Sequence, residues 1–225
     1  MVQLIRRGAR FAILLLSAVA SAPHARAAAL GQFDYYVLAL SWSPSFCAAA
    51  AERRSAGGNR AQCGARAYAF VVHGLWPQDG GGLLENCQEP APRLDRRLVA
   101  AMLDLMPAPR LVFHEWDKHG TCSGLGAKAY FDAVRKARAA VTIPPAYVDP
   151  QAALTVTPQA VERAFRAANP ALPPDGIAVE CSGKSLSEVR LCLTKDLTFR
   201  SCPQVARQSC RRDRLSMPPP RGGDR

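Results

Sequence analysis

Histidine is scarce in this chain of 225 residues, and its placement indicates where chemistry can occur. Three of the 4 histidines fall in two short segments, HGLWP at 73–77 and HEWDKHGTC at 114–122. Imidazole changes its charge near neutral pH, so such a cluster can move protons under ordinary conditions. His73 follows a short apolar run. It is therefore predicted to lie where a strand ends at a turn, a position from which a side chain can face a cleft.

The second segment predicts a helix with several reactive groups on one side. At about 100° per residue, positions 114, 115, 118 and 119 fall within an arc of roughly 140°. This arc carries the imidazoles of His114 and His119, together with a carboxylate at Glu115 and an ammonium group at Lys118. Glu115 and His119 are four positions apart, so their side chains are predicted to touch.

Together these groups fit proton transfer at an anionic centre. Two imidazoles with pKa values near the ordinary value of about 6.5 can serve as base and acid. A carboxylate can orient or charge an imidazole, and a lysine can stabilise developing negative charge. An RNA phosphodiester needs all of these functions and supplies its own nucleophile, the 2′-hydroxyl group. The residues therefore favour cleavage of RNA and predict that DNA, which lacks this hydroxyl, does not react.

Two other classes of protein stay open at this point. A secreted zinc hydrolase could use three histidines, but the H-E-x-x-H motif spaces its ligands four apart, whereas His114 and His119 are five apart. No pair of cysteines has the C-x-x-C spacing of a structural zinc site. A catalytically silent, secreted RNA-binding or toxin-like protein is the second alternative.

Residues 1–27 have the layout of a signal peptide. Three arginines precede a short apolar run, and small residues lead to an A-x-A cleavage pattern at 25–27. The apolar run is too short for a stable membrane anchor. The protein is therefore predicted to be secreted or periplasmic, with no membrane attachment once the signal peptide is removed.

Export determines how the 8 cysteines are interpreted. In an oxidising compartment an even number of cysteines predicts a disulfide framework, although about 105 pairings of eight are possible. All of them follow the signal peptide: Cys47, Cys63, Cys87, Cys122, Cys181, Cys192, Cys202 and Cys210.

The formal net charge of +11 accompanies 48% hydrophobic residues, which excludes a disordered polyelectrolyte and suits one domain with a real core.

The order of predicted elements indicates an α+β domain. Strands are predicted at 33–41, 68–72, 177–179 and 188–193, and loops at 48–64 and 79–82. Helices are predicted at 94–105, 127–140 and 158–168, the last with Thr157 as its cap and Pro158 in its first position. The last strand is predicted to turn back at Lys195 and Asp196. Residues 211–225 are basic and rich in proline and arginine, which predicts a disordered tail that could attract a polyanion.

The two histidine segments resemble the signature blocks of the ribonuclease T2 family of secreted acid ribonucleases. FDYYVLALSWSPSFC at 33–47 resembles the first strand of this family, and SEVRLCLTKDLTFRSCP at 187–203 resembles its last hairpin. The resemblance implies a single disulfide-stapled domain over 28–210, with a central, mainly antiparallel sheet flanked by helices. It also implies a monomeric endoribonuclease that cleaves single-stranded RNA without metal or other cofactor.

The resemblance also implies a role for each residue of the blocks. His119 would be the base on the 2′-hydroxyl group, and His73 the acid on the leaving 5′-oxygen. Glu115 and Lys118 would stabilise the pentacovalent phosphorane, and His114 would contact a substrate phosphate. The products would be 2′,3′-cyclic phosphates and then 3′-phosphates.

Disulfide pairing and base recognition follow less directly from the resemblance. The implied pairs are Cys47–Cys63, Cys87–Cys122, Cys181–Cys210 and Cys192–Cys202, of which the last two could be exchanged.

Some relatives place an aspartate after the HGLWP proline to contact the base, whereas this chain has Gln78. Trp76 could stack on a base or serve the core. Weak base preference is therefore expected.

Overall fold

The computed structural model of the protein describes residues 30–53, 60–64, 66–80 and 82–221. The predicted signal peptide at 1–27 lies outside these residues. Within them the chain forms one sheet and a set of helices, which confirms the predicted α+β class. No helix in the described ranges combines the length and apolar character needed to cross a membrane.

Strand β1 (Tyr35–Trp42) is the centre of the sheet, as its uninterrupted apolar sequence predicts. It pairs antiparallel with β2 on one side and β6 on the other. The remaining strands extend the order β3-β2-β1-β6-β7-β4, while β5 also pairs with β6. Their bounds are β2 Phe70–Asp79, β3 Gly82–Leu83, β4 Leu154–Val156, β5 Ile177–Ser182, β6 Ser185–Leu193 and β7 Leu215–Met217.

The two faces of β1 bury different clusters, because successive side chains of a strand point to opposite sides. Leu38, Leu40 and Trp42 enter the main core beneath the helices. Val37 and Ala39 face a smaller cluster on the other side of the sheet. His73 and His119 lie on the same side of the sheet as this smaller cluster, where part of the sheet faces a cavity.

Seven helices occur in the described part of the chain: α1 Ser43–Glu52, α2 Arg60–Cys63, α3 Arg96–Ala101, α4 Pro109–Lys118, α5 Ala127–Ala139, α6 Pro158–Ala168 and α7 Pro203–Ala206. Helix α5 buries Tyr130, Phe131 and Val134, as its spacing predicts. The predicted cap of α6 is also confirmed, because the Thr157 side chain accepts a hydrogen bond from the Ala160 backbone N–H.

The prediction of a loop at 48–64 is wrong in part. Helix α1 covers 43–52, because Pro44 suits a first helical turn and the alanines that follow have high helix propensity. Helix α2 then presents Cys63 to Cys47. Residues 54–59 lie outside the described ranges.

The prediction that the second strand stops at His73 is also wrong. Strand β2 continues to Asp79, and its partner β1 pairs with it as far as Gln78. The continuous partner strand overrides the turn-forming tendency of the Gly74 and Pro77 positions. The HGLWP segment is therefore strand, and Asp79 at the end of β2 pairs with Gly82 of β3.

The predicted disordered tail at 211–225 is wrong for its first part. Residues 215–217 form β7, which pairs antiparallel with β4. Leu215 and Met217 are fully buried, and the Trp42 indole N–H donates to the Pro218 carbonyl. Two apolar side chains spaced two apart are enough to seat a short strand on the core, despite the arginines before it. Residues 222–225 lie outside the described ranges.

All four disulfides implied by the family resemblance are present, including the nested pair at the C-terminal end. Cys87–Cys122 joins the segment after β3 to the residues after α4. This bond holds together the two parts of the chain that surround His119.

Candidate active site

His73 sits in a β-bulge of strand β2. Ala39 of β1 pairs with Gly74 and Leu40 pairs with Val72, so His73 is the extra residue between two paired positions. Val72 and Leu75 consequently both reach the main core although they are three apart. The bulge leaves the His73 side chain on the opposite face of the sheet, 36% exposed.

Two carboxylates flank the His73 ring. Nδ1 lies 2.7 Å from Oε2 of Glu188 on β6, and Nε2 lies 3.6 Å from Oε1 of Glu115 on α4. Burial disfavours the charged ring, but the hydrogen bond and charge of Glu188, aided by Glu115, outweigh it and raise the pKa of His73. His73 is therefore held as a proton donor in mild acid.

Glu115 is a fully buried carboxyl group aimed into the same space. The Trp76 indole N–H donates to its Oε2 at 2.7 Å. Burial raises the pKa of Glu115 to about 7, against the opposing effects of His73 and the Trp76 hydrogen bond. Gly74 leaves the room for this arrangement, since a Cβ there would collide with the Glu115 carboxylate and the Trp76 indole.

His119 lies just beyond the last residue of α4, with φ −121° and ψ −41° outside helical values. Its Nδ1 is 3.2 Å from the Leu84 carbonyl oxygen. A carbonyl can only accept, so Nδ1 carries the proton and Nε2 of the neutral ring is left with a free lone pair. Burial, together with the positive charge of Lys118, lowers the pKa of His119 to about 4, although the Leu84 carbonyl and Glu85 oppose this. His119 is therefore held as a base.

Lys118 and His114 also line the site. The Lys118 ammonium group lies 3.1 Å from Oε1 of Glu85, and both side chains are about one-third exposed. His114 is on the exposed side of α4. Both positions suit contacts to an incoming anion.

One cavity of about 440 Å³ brings the predicted residues together. It is lined by His73, Trp76, His114, Glu115, Lys118 and His119, with Gln78 and Leu83 at its β2–β3 side. A second groove of about 620 Å³ meets it at His73. Across the described ranges, no group of three or more His, Cys, Asp or Glu side chains is arranged to hold a metal ion.

Trp76 lies between the two imidazoles. Its ring centroid is 5.2 Å from that of His73 and 5.5 Å from that of His119. Only 7% of the residue is exposed. The indole thus packs against both rings and donates a hydrogen bond to Glu115. Its stacking on a base stays a prediction.

The sequence-based prediction of one helical arc is only partly right. Glu115 contacts Trp76 and His73 rather than the predicted His119, because the helix ends at Lys118 and His119 turns toward Leu84. Sequence reasoning also missed Glu188 and Arg190. Their alternation with buried Val189 and Leu191 on β6 indicated a polar face, but only the strand order shows that this face meets His73.

Comparison with known proteins agrees with this geometry. The sequence model of the ribonuclease T2 family matches residues 33–202. The chain therefore belongs to the ribonuclease T2 family. A ribonuclease of Aeromonas hydrophila is 46% identical over 95 residues, which cover 42% of this chain and 40% of that protein. The chain thus matches well under half the length of that curated relative.

Solved structures match over more of the chain. RNase NT in complex with 5′-AMP has a TM-score of 0.64 and 25% identity, covering 83% of this chain and 98% of that one. The RNase MC1 mutant Y101A in complex with 5′-UMP has a TM-score of 0.59 and 27% identity, covering 76% and 93% respectively. The predicted fold is therefore that of known family members.

Proposed function

We propose that the protein is a secreted endoribonuclease that cleaves single-stranded RNA without metal, by transesterification and then hydrolysis. The observation that carries the proposal is the pair of imidazoles facing one cavity in opposite protonation environments. His119 is held neutral with Nε2 as acceptor, and His73 is held protonated by its hydrogen bond to the Glu188 carboxylate. Such divergence identifies a base and an acid.

In the first step His119 Nε2 takes the proton of the 2′-hydroxyl group, and the oxygen attacks the adjacent phosphorus. His73 gives its Nε2 proton to the leaving 5′-oxygen as the P–O5′ bond breaks. The products are a 2′,3′-cyclic phosphate and a free 5′-hydroxyl end. DNA has no 2′-hydroxyl group and is not a substrate.

Charge on the phosphorane is stabilised by the neighbouring polar groups. Lys118 supplies a positive charge and His114 a phosphate contact. With a pKa of about 7, Glu115 is mostly protonated in mild acid and can donate a hydrogen bond to a non-bridging oxygen. A carboxylate there would otherwise repel the phosphate.

In the second step the two histidines exchange roles. His73, now neutral, activates water against the cyclic phosphate, and His119 returns its proton to the 2′-oxygen. The product is a 3′-phosphate. Both imidazoles end in their starting states, so the cycle needs no cofactor.

Base preference is proposed to be weak. Gln78, where some relatives have aspartate, lines the cavity but is itself buried, at 7% exposure. The neighbouring turn is rich in glycine and offers no aromatic ring for stacking. Discrimination among bases therefore depends on few contacts.

Secretion is supported by the four disulfides of the described residues, since such bonds persist in oxidising compartments. Action on RNA is supported by the nucleotides bound in the similar structures.

The test is to incubate the oxidised protein with single-stranded RNA and single-stranded DNA in excess EDTA. Cleavage of RNA alone is expected. Cleavage only after zinc is added would favour a metal hydrolase, and binding of RNA without cleavage would favour a silent RNA-binding protein.

A further inference from the structure

Glu188 is a buried carboxylate in direct contact with His73 of the candidate active site. It lies on β6 and keeps 8% of its side chain exposed. Strand β1 separates β6 from β2, so Glu188 reaches across one intervening strand to His73. The β-bulge makes this contact possible by turning His73 toward that face.

Three polar groups fix the Glu188 carboxylate. Oε2 accepts from His73 Nδ1 at 2.7 Å and from the Ser41 hydroxyl at 3.4 Å. Oε1 accepts from Arg190 Nε at 2.7 Å. Arg190 is itself held by Glu180 at 3.0 Å and lies over the Trp76 ring, 5.3 Å from its centroid. The carboxylate therefore has one defined orientation.

The charged state of Glu188 is also fixed. Burial alone would raise the pKa of the carboxyl group, but the hydrogen bond from His73 and the charge of Arg190 hold it below its ordinary value. Glu188 therefore stays ionised in mild acid, where Glu115 is mostly protonated. Of the two carboxyl groups beside His73, Glu188 is the one that carries the charge.

We propose that Glu188 is a positioning residue for the acid of the proposed reaction. It holds the His73 ring by Nδ1, so that Nε2 points into the catalytic cavity with its proton. Arg190 supports the carboxylate from behind. The inference rests on the proposed function for its catalytic consequence, but the contact itself can be tested without substrate.

The decisive variant is Glu188→Gln, which keeps the shape and an acceptor but removes the charge. Burial and Arg190 then disfavour the charged His73 ring, and Glu115, which is mostly protonated in mild acid, contributes little in its favour. An adjacent carboxylate raises the pKa of an imidazole by about one unit or more. The alkaline limb of kcat/KM should therefore shift to lower pH by about that amount, and the loss of kcat/KM should approach about tenfold at pH values above that limb.

Glu180→Gln is the matched control. Glu180 lies beside Glu188 on β5 and also pairs with Arg190, but its carboxylate faces the arginine rather than His73. Like Glu188→Gln, this substitution removes one carboxylate that pairs with Arg190. We expect the pH profile of this variant to follow that of the unmodified protein.

Nitrogen-15 NMR titration of His73 gives a readout that does not depend on cleavage. In the unmodified protein Nδ1 should stay protonated and the ring should titrate above its ordinary value, whereas in Glu188→Gln it should titrate lower. Equal titration curves in the two proteins would overturn the inference, as would a His73 in the unmodified protein without a proton on Nδ1. If RNA is not cleaved at all, the proposed function fails while the titration still decides the contact.

Discussion

His73 and His119 are the same residue type in the same cavity, yet their surroundings drive their protonation in opposite directions. His73 lies between Glu188 and Glu115, and His119 is buried against the Leu84 carbonyl. The family resemblance implied that His119 is the base and His73 the acid, and this contrast supports the same proposed roles. The two sequence segments give the residue types, but they do not show the surroundings that set the protonation of each ring.

Replacing either histidine should abolish RNA cleavage. An acid or base group is worth about 10²- to 10⁴-fold in rate, so His73→Ala and His119→Ala should each lose that much kcat. Steady-state kinetics on a dinucleotide substrate measures this loss of kcat. Circular dichroism should show the fold unchanged, and near-normal turnover in either variant would disprove the assigned pair.

Activity should depend on pH as a bell with its maximum in mild acid. Protonation of His119, whose pKa is about 4, removes the base on the acidic side. Loss of the proton from His73, whose pKa is raised, removes the acid on the alkaline side. The kcat/KM profile measures both limbs. A rate that rises steadily into the alkaline range would contradict the assignment.

At the element scale, the site depends on where β2, α4 and the segment after β3 meet. The bulge at His73 and the early end of α4 at Lys118 set the directions of the two imidazoles. An ideal helix and an ideal strand were the best predictions available from spacing alone. Bulges and helix ends depend on partners distant in sequence, so Glu188 and the Leu84 carbonyl could not be inferred in the same way.

Gly74→Ala should impair catalysis more than folding. The new methyl group would collide with the Glu115 carboxylate and displace it, and a misplacement of about 1 Å can cost on the order of 10²-fold in rate. Gly126→Ala, where a Cβ meets open space, is the control and should keep full activity. Equal kcat values for the two variants would show that the Glu115 position is unimportant.

Removing Cys87–Cys122 by double alanine substitution should affect both stability and rate. The free energy of unfolding should fall by about 2–5 kcal/mol. The rate should fall as well, because this bond ties the segment that carries the Leu84 carbonyl to the end of α4. Removing Cys47–Cys63, which joins α1 to α2, should cost stability but leave kcat near normal below the unfolding temperature. A comparable loss of kcat after removal of either disulfide would show that the effect on rate is not specific to Cys87–Cys122.

At the scale of the whole molecule, family resemblance predicted the class of fold and all four disulfides. The burial of residues 215–217 was not predicted, because the arginines of the tail dominate its composition. Leu215 and Met217 nevertheless close one side of the core. Short strands of this kind gain their stability from tertiary contacts, which composition does not report.

Truncation tests the role of the chain end. Ending the chain after Arg214 should destabilise the fold by about 3–6 kcal/mol, since two buried apolar side chains each contribute about 1.5–3 kcal/mol. Ending it after Arg221 retains β7 and should leave the unfolding midpoint in urea unchanged. Identical midpoints for the two truncations would show that β7 does not stabilise the fold.

The proposed transfer of protons by His119 and His73 requires a particular order of products from RNA. Phosphorus-31 NMR of a dinucleoside phosphate, incubated with the oxidised protein in excess EDTA, follows that order directly. The predicted result is a 2′,3′-cyclic phosphate signal that appears first and then converts to a 3′-phosphate. Direct formation of a 5′-phosphate, or turnover that begins only when zinc is supplied, would contradict proton transfer by His119 and His73.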